Sequence, residues 1–436
     1  MDSTNAVKYD TTVRTLGQAK IATPVRYARY VDESIPQALI MTPEELTELD
    51  SETIPMQFEK AGPREKIYFD PSKTKCAIVT CGGLCPGIND VIRAIVMEAH
   101  YNYGIRSVLG IRNGFRGFIP KYGYDVLELT PDNVTNIHHF GGTILGSSRG
   151  RQDAGEIVDS LERLNINVVF VVGGDGTMRA AKGIVEEVSL RKRKISVIGI
   201  PKTIDNDINF ITRSFGFDTA VEKATEAIQC AHVEATGVDM GIGLVKLMGR
   251  EAGFIAAQAT LALQEVNFLL VPEDTLTLEG DDGFLMALER RLQHRNHALI
   301  VCAEGAGQDL ISKEMERDAS GNPKLGDICG HLTRRIKEHF DERSLETVIK
   351  FIDPSYIIRS VPANAGDRVY CSFLGQQAVH AAMAGKTGMV VTHLKSTMVH
   401  LPLELVAMKR RTLNIHSDYW WTVMESTGQR SYYDSK

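Results

Sequence analysis

Four short apolar runs recur along the chain: Cys76–Thr80, Val168–Val172, Ile195–Ile200 and Leu299–Ala303. Each is rich in β-branched residues and apolar on both faces, which predicts parallel strands covered by helices on either side. Helical patterns lie between them, for example Ile88–Glu98, Ala154–Arg163 and Arg179–Val188. Strand, loop and helix in repeated alternation predict a doubly wound α/β architecture, in which ligands bind beyond the carboxyl ends of the strands. Residues 1 to about 70 break the pattern, being polar, punctuated by proline and without a strong strand. They read as an extension laid on the main body. Within it, Met41-Thr-Pro-Glu-Glu-Leu46 predicts a short helix capped by Thr42, with Pro43 in its first turn.

Composition narrows the function classes. The chain has 436 residues, 43% apolar and 24% charged, as expected of a globular protein of two or three domains. A net charge of −6 leaves no basic stripe to replace counterions, so nucleic acid is not expected as a partner. The basic cluster Arg191-Lys-Arg-Lys194 reads as a solvated loop between a helix and the strand Ile195–Ile200. No apolar stretch approaches the roughly 18 residues needed to span a bilayer, and no membrane partner is expected. Seven cysteines suit reduced thiols and a cytoplasmic location.

Every glycine-rich motif falls at the end of a predicted strand. The run Val168–Val172 passes into Gly173-Gly-Asp-Gly-Thr177. Glycine lets the backbone approach a ligand closely, and N–H groups at such a turn favour anionic oxygens. A lone carboxylate there repels phosphate, so Asp175 makes sense as a ligand to Mg²⁺ that the phosphates also bind. The first strand enters Cys81-Gly-Gly-Leu-Cys-Pro-Gly87, where Gly82 and Gly83 offer a second cradle. Cys81 and Cys85 lack the spacing of a metal pair and are expected to pack. In Gly141–Gly150, Arg149 can neutralise charge that develops during transfer. Pro201-Lys-Thr-Ile-Asp-Asn-Asp207 places Asp205 and Asp207 beside Lys202 and Thr203, a group able to take a proton from a hydroxyl. Leu247-Met-Gly-Arg-Glu251 enters a predicted helix with Arg250 near its first turn, where a cation opposes the dipole and so suits an anionic ligand. Glu304, ending its strand, can accept from sugar hydroxyls, and Tyr356-Ile-Ile-Arg359 adds further donors. Gly385-Lys-Thr387 mimics the end of a P-loop, but the required first glycine falls at His380.

These motifs, in this order, resemble the 6-phosphofructokinases over about residues 74 to 410. The segments Pro201–Asp207, Val245–Arg250 and Asp353–Arg359 look like the longer ATP-using branch of plants and kinetoplastids. The resemblance implies two doubly wound parallel-sheet domains: 74–216, completed by part of 358–410, for the nucleotide, and 217–357 for the sugar phosphate. An N-terminal extension, 1–73, and a C-terminal tail, 411–436, would flank them. It further implies transfer of the γ-phosphoryl of ATP to O1 of fructose 6-phosphate with Mg²⁺, in a homo-oligomer of two or four chains. Asp205 would be the general base, with Lys202, Gly176 and Arg149 in the catalytic set. Asp175 would hold Mg²⁺, with Asp207 nearby. Gly82, Gly83, Arg149, Gly150, Gly174, Asp175, Gly176 and Thr177 would hold the nucleotide. Thr203, Ile204, Asp205, Met248, Gly249, Arg250, Glu304, Lys350, Tyr356, Ile357, Ile358 and Arg359 would surround the sugar phosphate.

The chain departs from the family pattern in places. Short bacterial-type enzymes carry an arginine seven positions before the methionine of Met-Gly-Arg, where this chain has Gly241, and a histidine where it has Tyr356. The donor is the open alternative, since pyrophosphate-using relatives have aspartate at the position of Gly176 and lysine at that of Lys202. An Asp at 176 would crowd the α-phosphate, whereas a lysine excludes nothing. Exclusion sets specificity more firmly than attraction, which favours ATP. An NAD or lipid kinase would share Gly-Gly-Asp-Gly-Thr but leave Thr203–Asp207 and Met248–Arg250 without a role.

Overall fold

A computed structural model describes residues 9–26, 29–33, 35–38, 57–311, 324–394, 396–408 and 410–429. The short helix expected at Met41–Leu46 lies outside them. Each of the four apolar runs forms a strand, and each stretch read as helical forms a helix. The strands of the two larger sheets are β1 Gln37–Ala38, β2 Gln57–Lys60, β3 Lys75–Thr80, β4 Ser107–Ile111, β5 Leu127–Glu128, β6 Val168–Gly173, β7 Ser196–Pro201, β8 Gly241–Leu247, β9 Phe268–Leu270, β10 His297–Ala303, β11 Val348–Ile352, β12 Met389–Leu394 and β13 Thr397–Pro402. The longer helices are α1 Ile88–Met97, α2 Ala154–Arg163, α3 Asp175–Leu190, α4 Phe217–Thr236, α5 Phe254–Leu263, α6 Phe284–Arg295, α7 Ile328–Asp341, α8 Ala365–Met383 and α9 Asp418–Thr427. None is long and apolar enough to cross a membrane.

The chain divides into two compact units. The first comprises Met1–Lys202, Ile208–Phe215 and Ala365–Arg410. Its sheet has the order β1-β2-β13-β12-β7-β6-β3-β4-β5, with β12, β7, β6, β3 and β4 parallel. One face of β3, β6 and β7 presents Ala77, Val79, Val169, Val171 and Val197 to Ile157 and Leu161 of α2 and Ile184 of α3. On the other, α8 packs on β7 and α1 packs on α8. Burial on both faces explains why these strands read as unbroken apolar runs instead of alternating ones. Helix α2 begins at Asp153, whose side chain accepts the Glu156 N–H at 3.0 Å.

Near the margin of this sheet β2 carries Glu59 opposite His400 of β13. Arg64 reaches Glu59 at 2.7 Å and Lys386 reaches it at 2.9 Å. Lys386, the lysine of the P-loop mimic, therefore holds a carboxylate within the fold.

The second unit comprises Thr203–Asp207, Gly216–Asn364 and Arg411–Lys436. Its sheet, β9-β10-β8-β11, is wholly parallel. Ile242, Leu244, Ile300 and Cys302 pack against Phe284 and Leu288 of α6 and Leu332, Ile336 and Phe340 of α7. Helix α4 lies against the opposite face, with α5 beside it. The segment from 411 onward, read from sequence as a tail, carries α9, which packs on α5. The Gln429 amide then pairs with both main-chain groups of Leu269 on the edge strand β9, at 2.6 and 3.1 Å.

Candidate functional site

In the first unit the carboxyl ends of β3, β6 and β7 lie side by side, so their loops meet. The main-chain N–H of Cys81 donates to Val172 O at 2.8 Å. Gly82 donates to Ser148 O at 3.1 Å and accepts from the Ser147 hydroxyl at 2.6 Å, which ties the loop bearing Arg149 and Gly150 to the first cradle. Arg149 and Gly150 are exposed there. Lys202 is buried, and its Nζ donates to Gly83 O at 2.6 Å. Gly82 has φ +85°, and a Cβ there would lie 3.7 Å from that ammonium. Gly82, Gly83, Lys202, Gly174 and the Arg149 loop are thus brought together. Cys81 and Cys85 are buried and not joined by a disulfide; burial pushes Cys81 up to about 12, and Cys85 Sγ donates to Phe215 O at 3.2 Å.

Helix α3 starts directly after β6, with Gly174 as its N-cap and no side chain capping it. Its first turn holds Asp175, Gly176 and Thr177, where the helix dipole favours anionic oxygens. A Cβ at Gly176 would meet nothing within 4 Å, and its backbone is not left-handed. Among the described residues nothing requires glycine at 176. Asp175 pairs with Arg179 at 2.6 Å and with Arg410 at 3.4 Å. Sequence reasoning missed both arginines. Arg179 was legible as the i+4 neighbour of Asp175 on a helix, whereas Arg410 comes from the far end of the chain and gave no local signal.

In the second unit Thr203–Asp207 forms a turn. The Thr203 hydroxyl donates to Asp207 Oδ1 at 2.9 Å and accepts the Asp205 N–H at 3.1 Å. Asn206 adopts φ +53°, a conformation asparagine tolerates better than most residues. Ile204 is buried and Asp205 is partly exposed.

Beyond β8, Met248-Gly-Arg250 takes a sharp turn at Gly249, whose φ is +138°. The expected position of Arg250 is corrected here. Helix α5 begins only at Phe254 after the N-cap Gly253, so Arg250 lies in the loop and not in a helical turn. The turn at Gly249 delays the helix. The same loop is laced to the end of β10: Glu304 N–H donates to Leu247 O at 2.9 Å and Gly305 N–H to Gly249 O at 3.1 Å. Burial and the nearby Asp353 carboxylate push the Glu304 carboxyl up, while Arg250, Lys246 and Arg359 draw it part of the way back.

After β11, Tyr356 and Ile357 are exposed, Ile358 is buried, and the Arg359 guanidinium lies 4.9 Å from the Tyr356 ring centre. Arg250, Glu304 and Arg359 are brought together; Lys350 is not. In register, Lys350 pairs with Gly243, which faces α4, and its ammonium lies 3.3 Å from Glu234 on that helix. Lys246, on the opposite face, is the cation found beside Glu304, and it pairs with Asp353 at 2.5 Å. Sequence reading passed over Lys246 because it stands inside a strand before the motif. Gly241 also gains a reason, since a Cβ there would lie 2.0 Å from Ala235 O and any side chain is excluded.

Residues 75–382 match the family model described as Phosphofructokinase. The chain is 50% identical over 378 residues to an ATP-dependent 6-phosphofructokinase of Borreliella burgdorferi, covering 85% of each chain. It is 45% identical over 414 residues to ATP-dependent 6-phosphofructokinase 7 of Arabidopsis thaliana, covering 94% of this chain and 83% of that one. Among solved structures, a pyrophosphate-dependent phosphofructokinase from Marinobacter aquaeolei matches with a TM-score of 0.67 at 21% identity, over 81% of this chain and 91% of that one. At that identity the likeness concerns the fold alone.

Proposed function

The chain belongs to the phosphofructokinase family, and on that premise we propose that it transfers the γ-phosphoryl of ATP to O1 of fructose 6-phosphate, giving fructose 1,6-bisphosphate in glycolysis. The open space at Gly176 carries the choice of donor. A glycine that the protein's own packing does not require is explained by a nucleotide α-phosphate lying beside the first turn of α3. The nucleotide phosphates bind against the Gly82–Gly83 cradle and the first turn of α3, Gly174–Thr177, with Arg149 neutralising charge on the transferring group.

Asp175 suits Mg²⁺. Among the described residues no group of three or more metal-ligating side chains exists, as expected for an ion held by one or two carboxylates together with phosphates and water. Asp175, which pairs with Arg179 and Arg410 here, would hold the ion, which would supply neutralisation of phosphate charge.

On the acceptor side Arg250 and Arg359 hold the 6-phosphate, which does not react, and Glu304 accepts from sugar hydroxyls. Asp205 takes the proton from O1 as the bond to phosphorus forms. Thr203 and Asp207 fix the turn that aims it. The chain works as a homo-oligomer, a reading supported by exposed Phe351, Tyr356 and Ile357 on and after the edge strand β11. A cytoplasmic location is supported by the thiol state of all seven cysteines. Steady-state rates of the purified protein with fructose 6-phosphate, offered ATP and pyrophosphate separately, test the function. A preference for pyrophosphate overturns the donor, and no turnover with either overturns the reaction.

A further inference from the structure

Three loops of the second unit leave neighbouring strands of one parallel sheet: 248–250 after β8, 304–307 after β10 and 353–356 after β11. Ladder register fixes which side chains share a face. Lys246 pairs with Cys302, so Glu304, two residues on, points to the same side as Lys246. Val245 pairs with Ile352, which sets Asp353 beside Lys246 on that side too. The Lys246 ammonium meets Asp353 Oδ2 at 2.5 Å. The other oxygen of Asp353 accepts the Ser355 N–H at 3.1 Å and the Ser355 hydroxyl. That turn leads directly into Tyr356–Arg359.

We propose that Lys246 is a positioning residue: through Asp353 it holds the loop ends bearing Arg250, Glu304 and Tyr356–Arg359 in register for the sugar phosphate. The inference rests on the acceptor half of the proposed function. Stability alone does not explain the pair, since both side chains keep part of their surface in solvent, which weakens an ion pair. Its place does. Lys246 lies two residues before Met248, and Asp353 three before Tyr356, so one ion pair sets the spacing of two binding loops. The third loop is already bound to the first, with no room for even a Cβ at Gly305, 2.0 Å from Arg250 O. Lys246 also supports the ionised form of Glu304, together with Arg250 and Arg359 and against burial and the Asp353 carboxylate, which push it up.

The test compares Lys246→Met, which keeps the length and removes the charge, with Lys246→Arg and Asp353→Asn. Fructose 6-phosphate KM should rise roughly 10- to 100-fold in Lys246→Met, as expected for misplaced binding groups, while ATP KM and melting temperature stay near wild type. Asp353→Asn should move the same way, and Lys246→Arg should recover most of the affinity. In Lys246→Met the acid limb of kcat/KM for the sugar should shift to higher pH, because Glu304 loses a cation. Calorimetric binding of fructose 6-phosphate, which needs no turnover, should weaken in parallel. An unchanged sugar KM in Lys246→Met, or ATP KM and melting temperature changing as much as sugar KM, overturns the inference. Failure of wild type to phosphorylate or bind fructose 6-phosphate overturns the proposed function instead, so the two failures are distinguishable.

Discussion

Position 176 carries more information than its neighbours because a missing side chain there leaves a space nothing fills. Gly176→Asp should fold normally for that reason and place a carboxylate where an α-phosphate must lie. A like-charge contact of this kind costs several kcal/mol, so ATP turnover should fall by about 10²-fold or more while pyrophosphate turnover is kept or gained. Rates with both donors on both proteins check this, and an Asp variant using ATP normally would mean that residue 176 does not gate the donor. Asp205→Asn keeps the shape and removes the base. It should lower kcat roughly 10²- to 10⁴-fold with nucleotide affinity intact, and a variant within threefold of wild type removes Asp205 from the reaction. Such residues can be proposed from sequence because glycines and carboxylates gathered at strand ends suit a phosphate site. Lys246, Asp353 and Arg410 could not, since charged residues are ordinary in most contexts and only the register of the strands reveals what they touch.

Among elements, the four strands named from sequence lie within two residues of their observed bounds, and the other strands of the two larger sheets gave too weak a pattern to be named. Arg179–Val188 extends in fact to Asp175–Leu190. Gly174-Asp-Gly-Thr has the propensity of a loop, yet Gly174 serves as N-cap and Asp175 favours a helix N-terminus, so the helix begins at the ligand loop itself. The reverse happened at Met248–Arg250, where Gly249 at φ +138° postpones the helix. The buried charges along β2 escaped prediction altogether, because two of Glu59's partners come from beyond residue 385. Burial alone would raise Glu59, but the His400 hydrogen bond and Lys386 bring it down to about 2. A free glutamate titrates near 4.3, so the stabilisation is complete above about pH 4.3 and is lost as pH falls towards 2. His400, which burial pushes down, acts in the same direction. It takes up a proton less readily in the fold than in the unfolded chain, where histidine does so below about pH 6.5. Melting temperature followed from pH 6 to 3 should therefore fall more steeply in wild type than in Glu59→Gln. At neutral pH the variant should be less stable by roughly 3 kcal/mol, with Lys386 and Arg64 stripped of a partner. Parallel curves would show that Glu59 does not carry the acid sensitivity.

For the whole molecule, the path of the chain matters more than any single contact. It passes between the two compact units after Lys202, Asp207, Phe215, Asn364 and Arg410. Residues 1–202 contain β3, β6 and β7 but not β12 and β13, which complete the sheet beside β7. A fragment 1–202 should leave β7 as a bare edge with apolar residues on both faces, and so aggregate or melt without a cooperative transition. A sharp calorimetric transition from that fragment would contradict this. The interleaving also has a genetic meaning. A single crossover between related genes cannot lift out either unit whole, because each is assembled from separate stretches of coding sequence. Shuffling contiguous blocks would join strands selected against different neighbours. On the proposed role of residue 176, donor preference in such a lineage is therefore expected to drift by substitution in place, codon by codon, and not by importing a new nucleotide half.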